Sequence, residues 1–143
     1  MKRIAVVKVR GNINVPQRVR DTMGMMNLTR VNHCVIIDDR ETYRGMLQKA
    51  KDYITWGEVS PESVEKMLTK RGKVEDFGKY KSAKEFVGAY MKFEAELSDI
   101  GAGPVFRLSP PKKGYESTKR QYAKKGSLGN RGEAINQLLA RMI

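Results

Sequence analysis

The chain has 143 residues, with 28 Lys and Arg against 16 Asp and Glu, a formal net charge of +12 and a pI near 9.9. At this length one domain, or a small domain with an extension, buries about two thirds of its unfolded surface and needs no covalent staples. One Cys and one His exclude a disulfide framework and a Cys/His zinc cluster, and no apolar run approaches the roughly 18 residues of a membrane span, so a soluble, unexported, cytoplasmic protein is expected.

The β-branched run Arg3–Arg10, with Val7, Lys8, Val9 and Arg10 alternating, predicts a half-buried strand ended by Gly11. Asn14 as cap, Pro16 in the first turn, and Val15, Val19, Met23 and Met26 at helical spacing predict a helix through Asn27. The Met-rich part of that helix, Met23, Met25 and Met26, reads as core filler. His33–Ile37, closed by Asp38 and Asp39, predicts a second, more central strand, and Thr42 with Met46, Leu47 and Ala50 a second helix. A third strand is expected at Tyr53–Trp56, ended by Gly57, with Trp56 packing under the helices that follow.

Strand signals then give way to two helices. Ser60 caps the first, Pro61 opens it, Val64, Met67 and Leu68 form its stripe, and Lys70, Arg71 and Gly72 end it. Ser82 and Glu85 form a capping box for the second, whose stripe is Phe86, Ala89, Tyr90, Phe93 and Leu97. A short strand, Val105–Leu108, follows Gly103 and Pro104. From Ser109 to Arg131 aliphatic side chains nearly vanish, and the segment reads as an extended loop that orders on a partner. Asn130 and Glu133 cap a last helix, whose face of Ile135, Leu138, Leu139 and Met142 docks on this domain or on a neighbour.

Counted by segment, the net charge is +6 over residues 1 to 49, −1 over 50 to 100 and +7 over 101 to 143. Such segregation repels itself and is relieved by a polyanion, nucleic acid ahead of an anionic membrane. In the late loop Lys112, Lys113, Lys119, Arg120, Lys124, Lys125 and Arg131 alternate with Tyr115 and Tyr122. Cations of this kind meet phosphates, and rings stack on unpaired bases or riboses. Arg3, Lys8, Arg10, Arg18, Arg20 and Arg30 extend the same surface if they face the same way. Arg107, on the short strand, joins the set.

Catalytic readings are weaker. Cys34 lacks a base held by a third group, since its neighbour His33 points to the opposite side of a strand, and a small buried Cys is the plain alternative. Asp38, Asp39 and Glu41 resemble turn and cap residues more than a metal site. Gly126, Gly129 and Gly132 suit a flexible turn, and no phosphate-binding G-x-x-x-x-G-K-[ST] pattern occurs. The expectation is a protein that is not an enzyme, with no cofactor, metal or small-molecule substrate.

Three stretches carry a family resemblance: Val9-Arg10-Gly11-Asn12-Ile13-Asn14-Val15, Arg30-Val31-Asn32-His33-Cys34-Val35, and the highly specific Tyr43-Arg44-Gly45-Met46-Leu47-Gln48-Lys49-Ala50-Lys51-Asp52-Tyr53-Ile54-Thr55-Trp56-Gly57-Glu58. The chain resembles the large-ribosomal-subunit protein thirty family in its longer archaeal form, related to the eukaryotic large-subunit protein seven. Phe106-Arg107-Leu108-Ser109-Pro110-Pro111 and Leu128-Gly129-Asn130-Arg131-Gly132-Glu133 resemble the archaeal C-terminal extension, except that many relatives have His where this chain has Ser109.

The resemblance implies an α+β fold. Residues 1–58 would form a ferredoxin-like βαβαβ core with a three-stranded sheet and two helices on one face. Residues 59–103 would be a helical insert, and 104–143 a short strand, a basic loop and a C-terminal helix. It also implies a structural role in the ribosome, binding large-subunit rRNA beside neighbouring large-subunit proteins, with Arg10, Gly11, Arg30, His33, Arg44, Lys49 and Lys51 on or near the RNA side. A non-ribosomal RNA chaperone or RNA-binding regulator is the alternative expectation.

Overall fold

The structure is a computed structural model that describes residues 3–11, 13–71, 83–97, 105–115 and 117–143. Its first half contains β1 (Arg3–Lys8), α1 (Gln17–Met25), β2 (His33–Asp38), α2 (Glu41–Lys49) and β3 (Ile54–Glu58). The second half adds α3 (Pro61–Lys70), α4 (Ala83–Met91), β4 (Val105–Arg107), β5 (Ser117–Gln121), β6 (Gly126–Asn130) and α5 (Ile135–Met142). The strands lie in the order β4-β2-β1-β3-β6-β5. The fold is α+β, as expected, and the three-stranded centre is widened to six strands by β4, β5 and β6.

β1 is antiparallel to both β2 and β3, and its alternation feeds two cores. Ile4 and Val6 lie level with Ile37, Val35 and Trp56, and pack with Val19 and Met23 of α1 and Leu47 of α2. Ala5 and Val7 lie level with Cys34 and Gly57 on the opposite face, where Met67, Phe86, Tyr90, Leu138 and Leu139 cover them. Fully burying each such large side chain contributes about 1.5–3 kcal/mol.

Three readings change as a result. β1 is buried along its whole length rather than half-buried, because α3, α4 and α5 cover its second face. Trp56 faces α1 and α2, not the later helices, since its level with Val6 puts it on their side. Gly57 lies inside β3 instead of ending it: a Cβ there would overlap the carbonyl oxygen of Gly132, so the close pass of the chain before α5 requires glycine.

Local signals vary in how they are realised. Ser60 caps α3, its hydroxyl accepting from the Ser63 N–H, with Pro61 at the first position. α1 starts at Gln17 after Pro16 and α2 at Glu41 after Arg40, without the caps expected of Asn14 and Thr42. Asn14 instead turns the chain at φ +58°. Asn130 accepts from the Gly132 N–H and starts a 3-10 turn, Gly132–Ala134, that leads into α5. Two of the three methionines, Met23 and Met26, fill the core, whereas Met25 is 68% exposed. Gly72, the Ser82 end of the expected capping box, and Gly103 and Pro104 lie outside the described residues.

The segment read as an extended loop contributes β5 and β6. β6 pairs parallel with β3, Thr55 beside Gly129 and Trp56 beside Asn130. Its order comes from main-chain hydrogen bonding to the open edge of β3, which side-chain periodicity does not register. β5 pairs with β6 through a short, irregular ladder across the 3-10 turn Tyr122–Lys124. Parallel strands ordinarily need a longer connection. Here Lys125 takes a left-handed conformation, φ +60°, and Gly126 passes so near Arg120 that a Cβ would overlap its carbonyl.

Helix α5 docks within the chain on the second core. Asn136 joins it to the β3–α3 link, accepting from the Ser60 N–H at 2.9 Å and donating to the Glu58 carbonyl at 3.1 Å.

Candidate nucleic-acid interface

The strand directions place many of the basic residues at one end of the sheet. There β1 finishes, β2 and β3 begin and β4 finishes, which brings together Arg10, the turn carrying Arg30, Lys49 at the end of α2 with Lys51 in the turn after it, and Arg107 followed by Lys112 and Lys113. Main-chain bonds hold these turns. The Val9 and Arg10 N–H groups both donate to the Tyr53 carbonyl, and Asn32 N–H donates to the Lys8 carbonyl at 2.8 Å. Arg30, Lys49, Lys51, Arg107, Lys112 and Lys113 are exposed. Gly11 is exposed beside them, and its missing Cβ would make only ordinary contact with Val31.

Pro110 to Tyr115 is firmly held rather than free. Ser109 N–H donates to Met142 O and Lys112 N–H to Arg141 O, while the Arg141 guanidinium donates back to the Lys112 and Gly114 carbonyls at 3.2 and 3.1 Å. The last turn of α5 therefore presents Lys112 and Lys113 at the basic end. Tyr115 closes this clamp: its hydroxyl donates to Asn32 Oδ1 at 2.7 Å, and burial pushes its pKa up to about 12. It is an internal latch in this structure.

His33 sits in the same end, level with Arg107. Burial first, then the charges of Arg107, Arg30 and Lys8, lower its pKa from the ordinary histidine value, which favours the neutral imidazole. Lys8 lies inside, 0% exposed, with its ammonium donating to the Thr29 carbonyl at 3.3 Å; burial and the nearby Arg20 lower its pKa. Arg18 and Arg20 are on the exposed side of α1.

A second group of basic residues extends from this end along the sheet edge. Lys119 and Arg120 are exposed on β5, and Lys124 and Lys125 on the turn after it. Gln121 ties this edge to the α2–β3 turn through Lys51 O and Asp52 Oδ1. Tyr122 departs from the others: it faces Glu58, Ser60 and Asn136 across an open concavity, under the Arg131 guanidinium at 5.1 Å. Arg131 itself is an internal staple, donating to Thr55 Oγ1 at 2.9 Å and Ser127 O at 3.1 Å.

Two predicted site residues lie at the opposite end. Arg3, 3% exposed, donates to Asp38 at 2.6 Å and to the Tyr90 and Ala95 carbonyls, with its guanidinium 3.9 Å from the Tyr90 ring centre and 4.1 Å from that of Phe93. Arg44 makes two bonds to Asp39, at 2.7 and 2.9 Å, which raise its pKa. Asp38 also pairs with Arg40 at 3.0 Å. Both adjacent aspartates are thus occupied by arginines of the fold. Cys34 is fully buried and its thiol is pushed up to about 12, which leaves no thiolate for nucleophilic chemistry at neutral pH.

Sequence reasoning missed Arg141 and Gln121, which hold the basic segment in place. The only sign of Arg141 was its position in the last turn of a helix next to unpaired carbonyls.

Residues 4–54 match the family model for ribosomal protein L30p/L7e. A large ribosomal subunit protein uL30 from Methanopyrus kandleri is 50% identical, with 94% of this chain and 100% of the relative covered. Its counterpart from Methanosphaera stadtmanae is 43% identical over 97% of this chain and 99% of its own length. That from Methanobrevibacter smithii is 42% identical over 96% and 98%. Identity at this level over nearly the whole length shows that the chain belongs to the uL30 family of large-ribosomal-subunit proteins.

Proposed function

We propose that this chain is a structural, non-enzymatic constituent of the large ribosomal subunit that binds and stabilises folded large-subunit rRNA through the basic end of its sheet and the adjoining β5 edge. The observation that carries the reading is the convergence of Arg10, Arg30, Lys49, Lys51, Arg107, Lys112 and Lys113, drawn from four separate turns, onto one end. Such a cluster lowers the repulsion between phosphates of neighbouring RNA helices. Its recognition depends on backbone and shape more than on base edges, because the deep groove of helical RNA hides those edges from side chains.

The RNA surface in this reading includes Lys119, Arg120, Lys124 and Lys125 and the polar face of His33, and it excludes the cations engaged internally, Arg3, Lys8 and Arg131. In the test, Lys49, Lys51, Lys112 and Lys113 are changed together to Gln, and binding to a transcript of large-subunit rRNA is followed against salt. With each phosphate contact contributing about 0.7–0.9 to the log–log slope, the slope should shrink by about 3. An unchanged slope overturns the interface. Sedimentation after a high-salt wash tests the ribosomal role separately: the native chain should stay with large subunits, whereas a free RNA chaperone leaves them.

A further inference from the structure

An open concavity of about 370 Å³ beside the end of β1 is lined by Arg10, Gly11, Ile13, Asn14 and Tyr53. Its composition is unlike the rest of the basic end. Ile13 is 86% exposed, an unusual position for a β-branched aliphatic side chain, and Val31, also exposed, borders it at Gly11. One wall is the ring of Tyr53, with the Arg10 guanidinium over it at 5.3 Å. The turn that shapes the rim depends on Asn14 at φ +58°, and the Arg10 and Tyr53 backbones are joined by a hydrogen bond. Phosphate contacts alone need cations, not an aliphatic side chain, a ring and a hollow.

We propose that this concavity receives one extruded, unpaired RNA base, stacked on Tyr53 and Arg10 and covered by Ile13, while the surrounding cations hold the phosphates on either side of it. The volume lies in the range of small-ligand sites. A planar base offers an apolar face to Ile13 and a π-face to the ring and guanidinium. Lys49, at the end of α2, and Lys51, in the turn that leads to Tyr53, are exposed on the same chain segment, so the charge complements a nucleotide rather than an apolar peptide. The proposal rests on the RNA-binding reading and adds a base-dependent component to it.

The experiment uses the full chain and three hairpin RNAs of one sequence: fully paired, with one unpaired adenosine, and with an abasic ribose in that place. The native protein should bind the bulged hairpin about tenfold more tightly than the abasic one. Ile13→Asn and, separately, Tyr53→Leu should abolish this preference while leaving affinity for the paired hairpin and its salt slope unchanged. Ile13 is exposed, so its variant keeps the fold; far-ultraviolet spectra of both variants check this. Equal binding of the bulged and abasic hairpins by the native protein overturns the base site and leaves RNA binding intact. A preference that survives both substitutions also overturns it. Failure to bind any hairpin or rRNA defeats the underlying reading instead.

Discussion

Where β1 begins, Arg3 is held by Asp38 at 2.6 Å and lies against the rings of Tyr90 and Phe93; where β1 ends, Arg10 donates to the Asp52 carbonyl at 3.5 Å and lies over one face of Tyr53. The first end also sets Arg40 and Arg44 against Asp38 and Asp39. The second gathers exposed cations from four turns, and the carboxylate of Asp52 is approached there by Gln121. The same residue type thus supports architecture at one end and presents charge at the other. What separates the two roles is the presence of carboxylates and main-chain carbonyls within hydrogen-bond reach, since a bound guanidinium gains little from a phosphate and a solvated one releases counterions on meeting it.

Breaking the architectural end should have the largest effect. Arg3→Ala removes one of the two arginines paired with Asp38 among the described residues and strips the guanidinium from the Tyr90 and Phe93 rings, so unfolding free energy measured in urea should fall by about 3–5 kcal/mol. The salt slope of rRNA binding by the remaining folded protein should not change; a reduced slope would assign Arg3 to the wrong end. Gly57→Ala tests the seam between β3 and the chain entering α5. The Gly132 carbonyl oxygen overlaps the new Cβ and forces a shift, with an expected loss of about 1–3 kcal/mol by thermal denaturation.

A paired comparison sharpens the contrast in charge. Lys112→Gln with Lys113→Gln should lower the rRNA salt slope by about 1.5, at 0.7–0.9 for each lost phosphate contact, whereas Arg40→Gln with Arg44→Gln should leave it in place. Equal slopes for the two double variants would erase the distinction between the ends.

The smallest effect concerns protons. In the free protein His33 is held below its ordinary pKa, so the unfolded chain binds the proton more tightly, and stability should decline as pH falls through about 6.5. A phosphate nearby favours the imidazolium and reverses the bias. RNA affinity should therefore rise several-fold from about pH 8 to about pH 5.5, and His33→Gln should flatten that rise. Titrations of both proteins at fixed salt read the difference directly.

Much of the core was legible from residue pattern. Val19 and Met23, Met67 and Leu68, and Leu138 and Leu139 repeat at helical spacing and are buried, because burying an apolar stripe is what makes such helices stable. Ser60 and Pro61 announced α3 through local chemistry that needs no tertiary partner. β6 was illegible for the opposite reason: Gly126, Ser127, Leu128 and Gly129 have little side-chain signal, and what orders them is the edge of a strand some seventy residues earlier.

The candidate interface divides the same way. An excess of cations in the first and last thirds is a property of composition, and so is the prior for a polyanion. Which cations reach it is not. Arg3, Lys8 and Arg131 look no different in the sequence from Arg10, Arg30 and Lys112, yet the first three are turned inward by Asp38, by the Thr29 carbonyl and by Thr55. Composition and periodicity therefore pointed to a basic α+β protein with a polyanionic partner, and the motifs pointed to its family. The tertiary structure decided which charges are free to act, because a long side chain meets whichever partner the packed strands bring within a few ångströms, and that partner is set by contacts far apart along the chain.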